Sequence, residues 1–183
     1  ITVGRLRAAE ADEDRVVLEE NMWELPKDLG LLRDRIEELT ADGFPPGAVV
    51  LDPLIGHFRN PYHGHQQNAQ AMNGLITIAK RFNLAFVIPH HFVKGVKSVG
   101  TVQAAIGGMG VIQNVPKAIY VFGPDTPGAR STKALAAEKF NYGRFPATLH
   151  FQLESWEQPF RGRTYEMSRL EYLGPIDARA ADI

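Results

Sequence analysis

Val49-Val50-Leu51-Asp52-Pro53-Leu54 and Leu84-Ala85-Phe86-Val87-Ile88-Pro89-His90-His91 are the two stretches whose reading decides the fold. Each opens with an apolar run of strand length, over 48–51 and 84–88, of the kind found in strands buried on both faces. One run stops at Asp52 and the other at Pro89-His90-His91. Between them, residues 66–82 carry Ala69, Met72, Leu75, Ile76 and Ala79 at helical spacing. Strand, helix and strand in that order predict two parallel strands joined by a crossover helix.

The same grammar continues outward. Upstream, 28–42 places Leu29, Leu32, Ile36 and Leu39 on one helical face, with Gly43 as the stop and Pro45-Pro46-Gly47 as the break. Residues 3–11 read as the end of a helix and 15–19 as a short strand around Val16-Val17-Leu18. Downstream, 94–114 is rich in Gly and small residues, and 118–122 is a third apolar strand. After Pro124 the runs 134–140, 147–153 and 165–172 read as antiparallel strands joined by turns. The expectation is one α/β domain, a mostly parallel sheet flanked by helices, extended at its C-terminal end by antiparallel strands.

Composition narrows the function. With 44% apolar and 22% charged residues the chain has material for a core. No Cys is present, which excludes disulfides and thiolate metal sites and fits a reducing cytoplasm. No apolar run reaches the roughly 18 residues of a membrane-spanning helix. The chain starts at Ile1 with no basic-then-apolar leader and reads as a fragment of something longer. The net charge of −1 hides an asymmetry: residues 1–52 hold 13 acids and 6 bases, whereas 53–124 hold no acid against six bases. Such a block suits a face or channel that meets a polyanion. Buried strands and helices, where charges are scarce, account for it equally well.

Three places can carry chemistry. Asp52, at a strand end, is where open α/β sheets bind ligands, and its carboxylate suits a hydrated Mg²⁺; Asp there also simply caps a turn. His91, with Lys94 three residues on, can touch a phosphate or a water, though a polar residue at a strand end needs no such role. Lys139, in Glu138-Lys139-Phe140-Asn141-Tyr142-Gly143, is a cation beside a Gly turn, which a solvated hairpin Lys also explains.

In this order and spacing, Val49–Leu54, Ile88-Pro89-His90-His91-Phe92-Val93-Lys94 and Lys139–Gly143 resemble the later motifs of RecA-like ATPases of the RepA/DnaB-type hexameric helicase group. Arg5-Leu6-Arg7-Ala8-Ala9 and Leu25-Pro26-Lys27-Asp28-Leu29 are similar to further stretches of that family. The resemblance covers most of 1–155, the second half of such a domain, and leaves 156–183 as a C-terminal strand and tail. It implies ATP and Mg²⁺ as ligands, with Asp52 as the Walker B carboxylate acting through Mg²⁺ waters. His91 would be the sensor, and Lys139 the cation reaching a neighbouring subunit's nucleotide, with Asn141 beside it. Loops bearing Arg59, Lys94 and Lys97, with Tyr62, His63 and Phe92 nearby, would meet single-stranded DNA inside a ring of identical subunits. It implies a cytoplasmic DNA-replication motor.

The departures are specific. No Gly-x-x-x-x-Gly-Lys-Ser/Thr occurs in the chain, and the family's catalytic Glu would lie upstream of Ile1. At Asn141 many relatives carry Arg, which leaves the trans role to Lys139 or Arg144. Two other readings stay open. One is a nonenzymatic DNA-binding or scaffold module of the same fold. The other is a metal-dependent hydrolase drawing on Asp52, His57, His63, His65, His90 and His91, which lacks helical His-x-x-x-His spacing.

Overall fold

The computed structural model describes residues 2–20, 22–58, 65–91, 110–126, 128–160 and 162–183. In chain order the helices are α1 (Thr2–Ala8), α2 (Leu29–Ala41), α3 (His65–Phe82) and α4 (Gly110–Asn114). The strands are β1 (Ala48–Val50), β2 (Ala85–Val87), β3 (Ala118–Gly123), β4 (Thr132–Phe140), β5 (Thr148–Phe160) and β6 (Arg163–Ile176). The fold is mixed α/β, with a parallel β1-β2 pair and a separate antiparallel sheet in the order β3-β4-β5-β6. The chain forms two compact units, Glu20–Pro116 and Ile1–Glu19 with Lys117–Ile183. The expected division after residue 155 falls inside β5. No helix among the described residues is long and apolar enough to cross a membrane.

In the unit Glu20–Pro116, α3 crosses over between β1 and β2. Its buried stripe is Ala71, Met72, Leu75 and Ile78. That corrects the expected stripe, since Ala69, Ile76 and Ala79 are only half-buried. The helix is apolar over a wide arc, so spacing alone does not fix which part of the arc turns inward. Leu32 and Ile36 of α2 are buried as expected. A Cβ on Gly74 would overlap the Leu29 side chain, so the missing side chain lets α2 and α3 approach closely. Leu25 pairs with Phe58 in a parallel bridge, and its N–H donates to the His57 carbonyl at 2.7 Å.

Neither strand of the parallel pair is buried on both faces. Val49 and Phe86 share a half-buried face, whereas Val50 and Val87, on the other, are 60% and 50% exposed. Apolar composition alone does not reveal how many layers cover a strand.

In the other unit the four strands form successive antiparallel neighbours. This corrects two expectations: β3 does not continue the parallel set, and the C-terminal strands form their own sheet rather than extending β1-β2. Short connections between neighbours favour hairpin pairing. One sheet face carries buried Val121, Ala134 and Ala136 and receives α1 and the last turn. There, a Cβ on Gly4 would come within 2.7 Å of the Met167 sulfur. The opposite face carries Tyr120, Phe122, Phe151 and Tyr172, with ring centroids 6.4 Å apart for Phe122–Phe151 and 5.7 Å for Phe151–Tyr172. In β4 the partners of Ile119 and Tyr120 are Lys139 and Ala137, so Glu138 is an extra residue, a bulge. Val16, Val17 and Leu18 form no strand, which corrects that expectation; they follow a 3-10 turn at Glu13–Arg15 and are 36 to 49% exposed. They have no ladder partner among the described residues.

Leu32→Ala removes a side chain that is only 1% exposed and is expected to cost about 2–5 kcal/mol. Leu31→Ala, at a position 60% exposed, is expected to stay within about 0.5 kcal/mol. Urea unfolding of both variants checks the assigned inner face of α2, and equal losses would contradict it.

Candidate functional site

The parallel ladder sets one edge of the first unit. Ala48, Val49 and Val50 pair with Ala85, Phe86 and Val87, and the Leu51 N–H continues the ladder by donating to the Val87 carbonyl at 3.0 Å. Both strands therefore end on the same side. Asp52 follows buried Leu51 and is itself exposed; His90 is half-buried and His91 exposed. Asp52 follows one strand end and His90 and His91 follow the other, so all three come after the same side of the ladder. Beyond Asp52 the chain passes through a cis peptide to Pro53 and a 3-10 turn at Leu54–His57.

An exposed carboxylate offers oxygen ligands to a hard cation. Mg²⁺ keeps several waters and needs one or two carboxylates beside substrate phosphates, a demand that Asp52 fits. Among the described residues no group of three His, Cys, Asp or Glu gathers to hold a metal directly. His57 is 7% exposed, and its Nδ1–H donates to the Trp23 carbonyl at 3.0 Å, so it pins the chain near Leu25. The His63 position and the side chain of His65 lie outside the description.

Lys139 sits at the end of β4 and is half-buried, paired in register with Ile119. Asn141 opens the exposed turn that leads to β5, and its N–H donates to the Lys117 carbonyl at 2.8 Å. Arg144 is exposed in the same turn, with Tyr142 72% exposed beside it. These residues belong to the second unit. Arg59, Lys94 and Lys97, with Tyr62 and Phe92, lie outside the described residues.

The sequence reading missed one polar cluster. Asp125, in the loop after β3, accepts the Thr132 hydroxyl at 2.6 Å, and the Nε2 of His150 lies 2.9 Å from its other oxygen. A carboxylate only accepts, so that nitrogen carries the proton. The hydroxyl bond is the main cause that holds the Asp125 carboxyl below its ordinary range; His150 adds to it and burial opposes. Separations of 7 and 25 residues along the chain hide this from any local motif. Glu154 moves the other way: a hydrogen bond with Glu171 and its negative charge raise the Glu154 carboxyl, against Arg169.

No family model matches the chain, and no curated protein matches it. Among solved structures, the crystal structure of the RadB recombinase is similar at 17% identity over 70% of this chain, with a TM-score of 0.43. The chain spans 58% of the length of that structure.

A carboxyl whose folded pKa is depressed contributes stability above its unfolded value, about 3.9 for Asp, and loses that contribution as pH falls through its folded pKa. Asp125→Asn is therefore expected to lower the urea midpoint at neutral pH. Its gap from the wild type should narrow once the pH drops below about 4. Midpoints measured at neutral, mildly acidic and strongly acidic pH check this, and a gap that widens toward acid would contradict it.

Proposed function

We propose that residues 1–155 are the second half of a RecA-like ATPase domain in an ATP-dependent DNA motor of the helicase type, with 156–183 as its C-terminal strand and tail. The parallel β1-β2 pair carries the reading, because both strands end on the same side and are followed in sequence by Asp52 and by His90 and His91. Open α/β sheets bind ligands just outside such an edge. In this reading Asp52 holds Mg²⁺ through water, and His91 lies toward the phosphates of ATP. Mg²⁺ when bound neutralises phosphate charge. Lys139 or Arg144, with Asn141 in the same turn, reaches the nucleotide of the next subunit in a homo-oligomeric ring. Arg59, Lys94 and Lys97 contact single-stranded DNA, and the setting is cytoplasmic DNA replication.

A second reading, a nonenzymatic DNA-binding or scaffold module, is favoured by one observation: these 183 residues contain no Gly-x-x-x-x-Gly-Lys-Ser/Thr. Nucleotide binding separates the two readings.

Mn²⁺ stands in for Mg²⁺ and broadens nearby proton signals. At concentrations on the order of 10⁻³ M, suited to a weak oxygen site, it should broaden the ring signals of His90 and His91, and Asp52→Asn should abolish the effect. Unbroadened signals would remove Asp52 from the metal role.

Binding of a labelled single strand should weaken with salt, with a log–log slope of about −2 if three phosphates are neutralised at ~0.7 each. Replacing Lys94 and Lys97 with Ala should flatten the slope by about 1.4. Equal slopes for the two proteins would exclude these lysines as phosphate contacts.

A further inference from the structure

α1, α2 and α3 stop in the same way. Just past each helix a residue takes positive φ, and the N–H of the residue after it reaches back into the last turn. For α2 these are Gly43, at φ 84°, and Phe44, whose N–H donates to the Leu39 carbonyl at 2.8 Å. For α3 they are Asn83, at φ 51°, and Leu84, donating to Ala79 at 3.1 Å. Gly and Asn are the usual occupants of that position. α1 uses Glu10, at φ 54°, with Ala11 donating to Leu6 at 2.9 Å. A glutamate is strained in that region of backbone and persists there only when its surroundings hold it. What holds Glu10 is distant in sequence: its carboxylate accepts from the Arg169 guanidinium of β6 at 2.8 Å.

Arg169 has other carboxyl groups beside it. On the face that receives α1, Glu154 of β5 stands directly opposite Arg169 in the ladder, and Glu171 of β6 lies one pair further along, opposite Gln152. Glu154 and Glu171 hydrogen-bond to each other, and the Arg169 charge acts on Glu154. A carboxylate only accepts, so a bond between two carboxyl groups holds a proton. One guanidinium, stacked over Trp156 at 5.2 Å, is thus shared among three carboxyl groups. The remaining charges on α1 do not compete for it: Arg7 is paired with Glu13 at 2.7 Å, and Arg5 is exposed. Tyr165 and Arg163 lie further out along the same face of the ribbon, both exposed.

We propose that Arg169 is a proton-operated latch on α1: while Glu154 and Glu171 hold one proton between them it binds Glu10, and when that proton leaves it turns to the pair and releases the helix end. Glu154 and Glu171 are fixed by the ladder, whereas Glu10 ends a seven-residue helix in strained backbone, so Glu10 is the member that yields. The Glu171 hydrogen bond and charge raise the Glu154 carboxyl above its ordinary range, about 4.3 for Glu. A carboxyl raised by folding contributes stability that is full below the ordinary value and is lost as pH rises through the folded one. The latch is therefore closed on the acid side and loosens as pH rises. From Glu10 the chain runs through the exposed 16–18 stretch to the other unit, which begins at Glu20, so the latch governs the start of that connection. The device lies within one unit and is independent of the nucleotide and DNA reading above.

Nuclear magnetic resonance of the full chain tests it. The carboxyl carbon signals of Glu154 and Glu171, followed against pH, give the midpoint at which the pair loses its proton. Exchange of the Glu10 and Ala11 amides, corrected for the intrinsic effect of pH, reads the helix end. In the wild type their protection should be about two- to fivefold lower above that midpoint than below it, the range of one cross-strand charge pair. Glu154→Gln is neutral at every pH and still donates a hydrogen bond, so it should keep the acid-side protection throughout. Glu10→Gly is at ease with positive φ and has no carboxylate, so its protection should not change across the midpoint. Circular dichroism should show both variants folded. Wild-type protection that is equal on the two sides overturns the latch. A fall in Glu154→Gln as large as in the wild type overturns the role of the shared proton, and a fall that persists in Glu10→Gly overturns the role of Glu10.

Discussion

Two parallel strands cannot be joined by a turn. The chain must travel from the carboxyl end of one back to the amino end of the next, and in the first unit α3 makes that journey. At 18 residues the helix is about 27 Å long, against about 10 Å for either three-residue strand. Burial holds it, with Ala71, Met72, Leu75 and Ile78 turned inward and Leu51 and Leu84 buried at the flanking strands. Once that crossover is set, the address of Asp52 follows. Any residue just past β1 must emerge on the same side as any residue just past β2.

The second unit obeys a different economy. Its strands are linked by short connections, so the pairing is local and antiparallel throughout. Long-range order comes from what lies across the sheet. Met167 fills the space that Gly4 leaves open, and Arg169 reaches back to Glu10 at 2.8 Å while stacking over Trp156. At the far end the Thr148 hydroxyl donates to the Ala178 carbonyl at 2.6 Å, which holds the C-terminal turn against β5. These contacts join the first and last parts of the chain.

What the sequence made legible follows the reach of each signal. Periodicity within one element worked well, giving α2 with Leu32 and Ile36 inside, α3 to within a residue, and both strands of the parallel pair. That both strands end on one side was readable for the same reason, since βαβ order dictates it. Signals that depend on neighbours failed. The apolar strings of β1 and β2 gave no hint that Val50 and Val87 would stay exposed, and Val16 to Leu18 had strand composition without a strand to join. β3 looked like one more member of the parallel set because its sequence carries no mark of the direction in which it pairs. The Asp125, Thr132 and His150 cluster unites a loop with two strands and has no local signature.

The bulge in β4 has a consequence for where its last residues face. Counted by strict alternation from Ala134, Lys139 would share the aromatic side of the sheet with Leu135. Glu138, left over in the ladder, resets that count, and Lys139 comes level with Ile119 on the side of Val121. The strand enters in one phase and leaves in the other. A single unpaired glutamate therefore works as a phase shifter: it decides on which side of the sheet the final cation of the strand travels toward the turn.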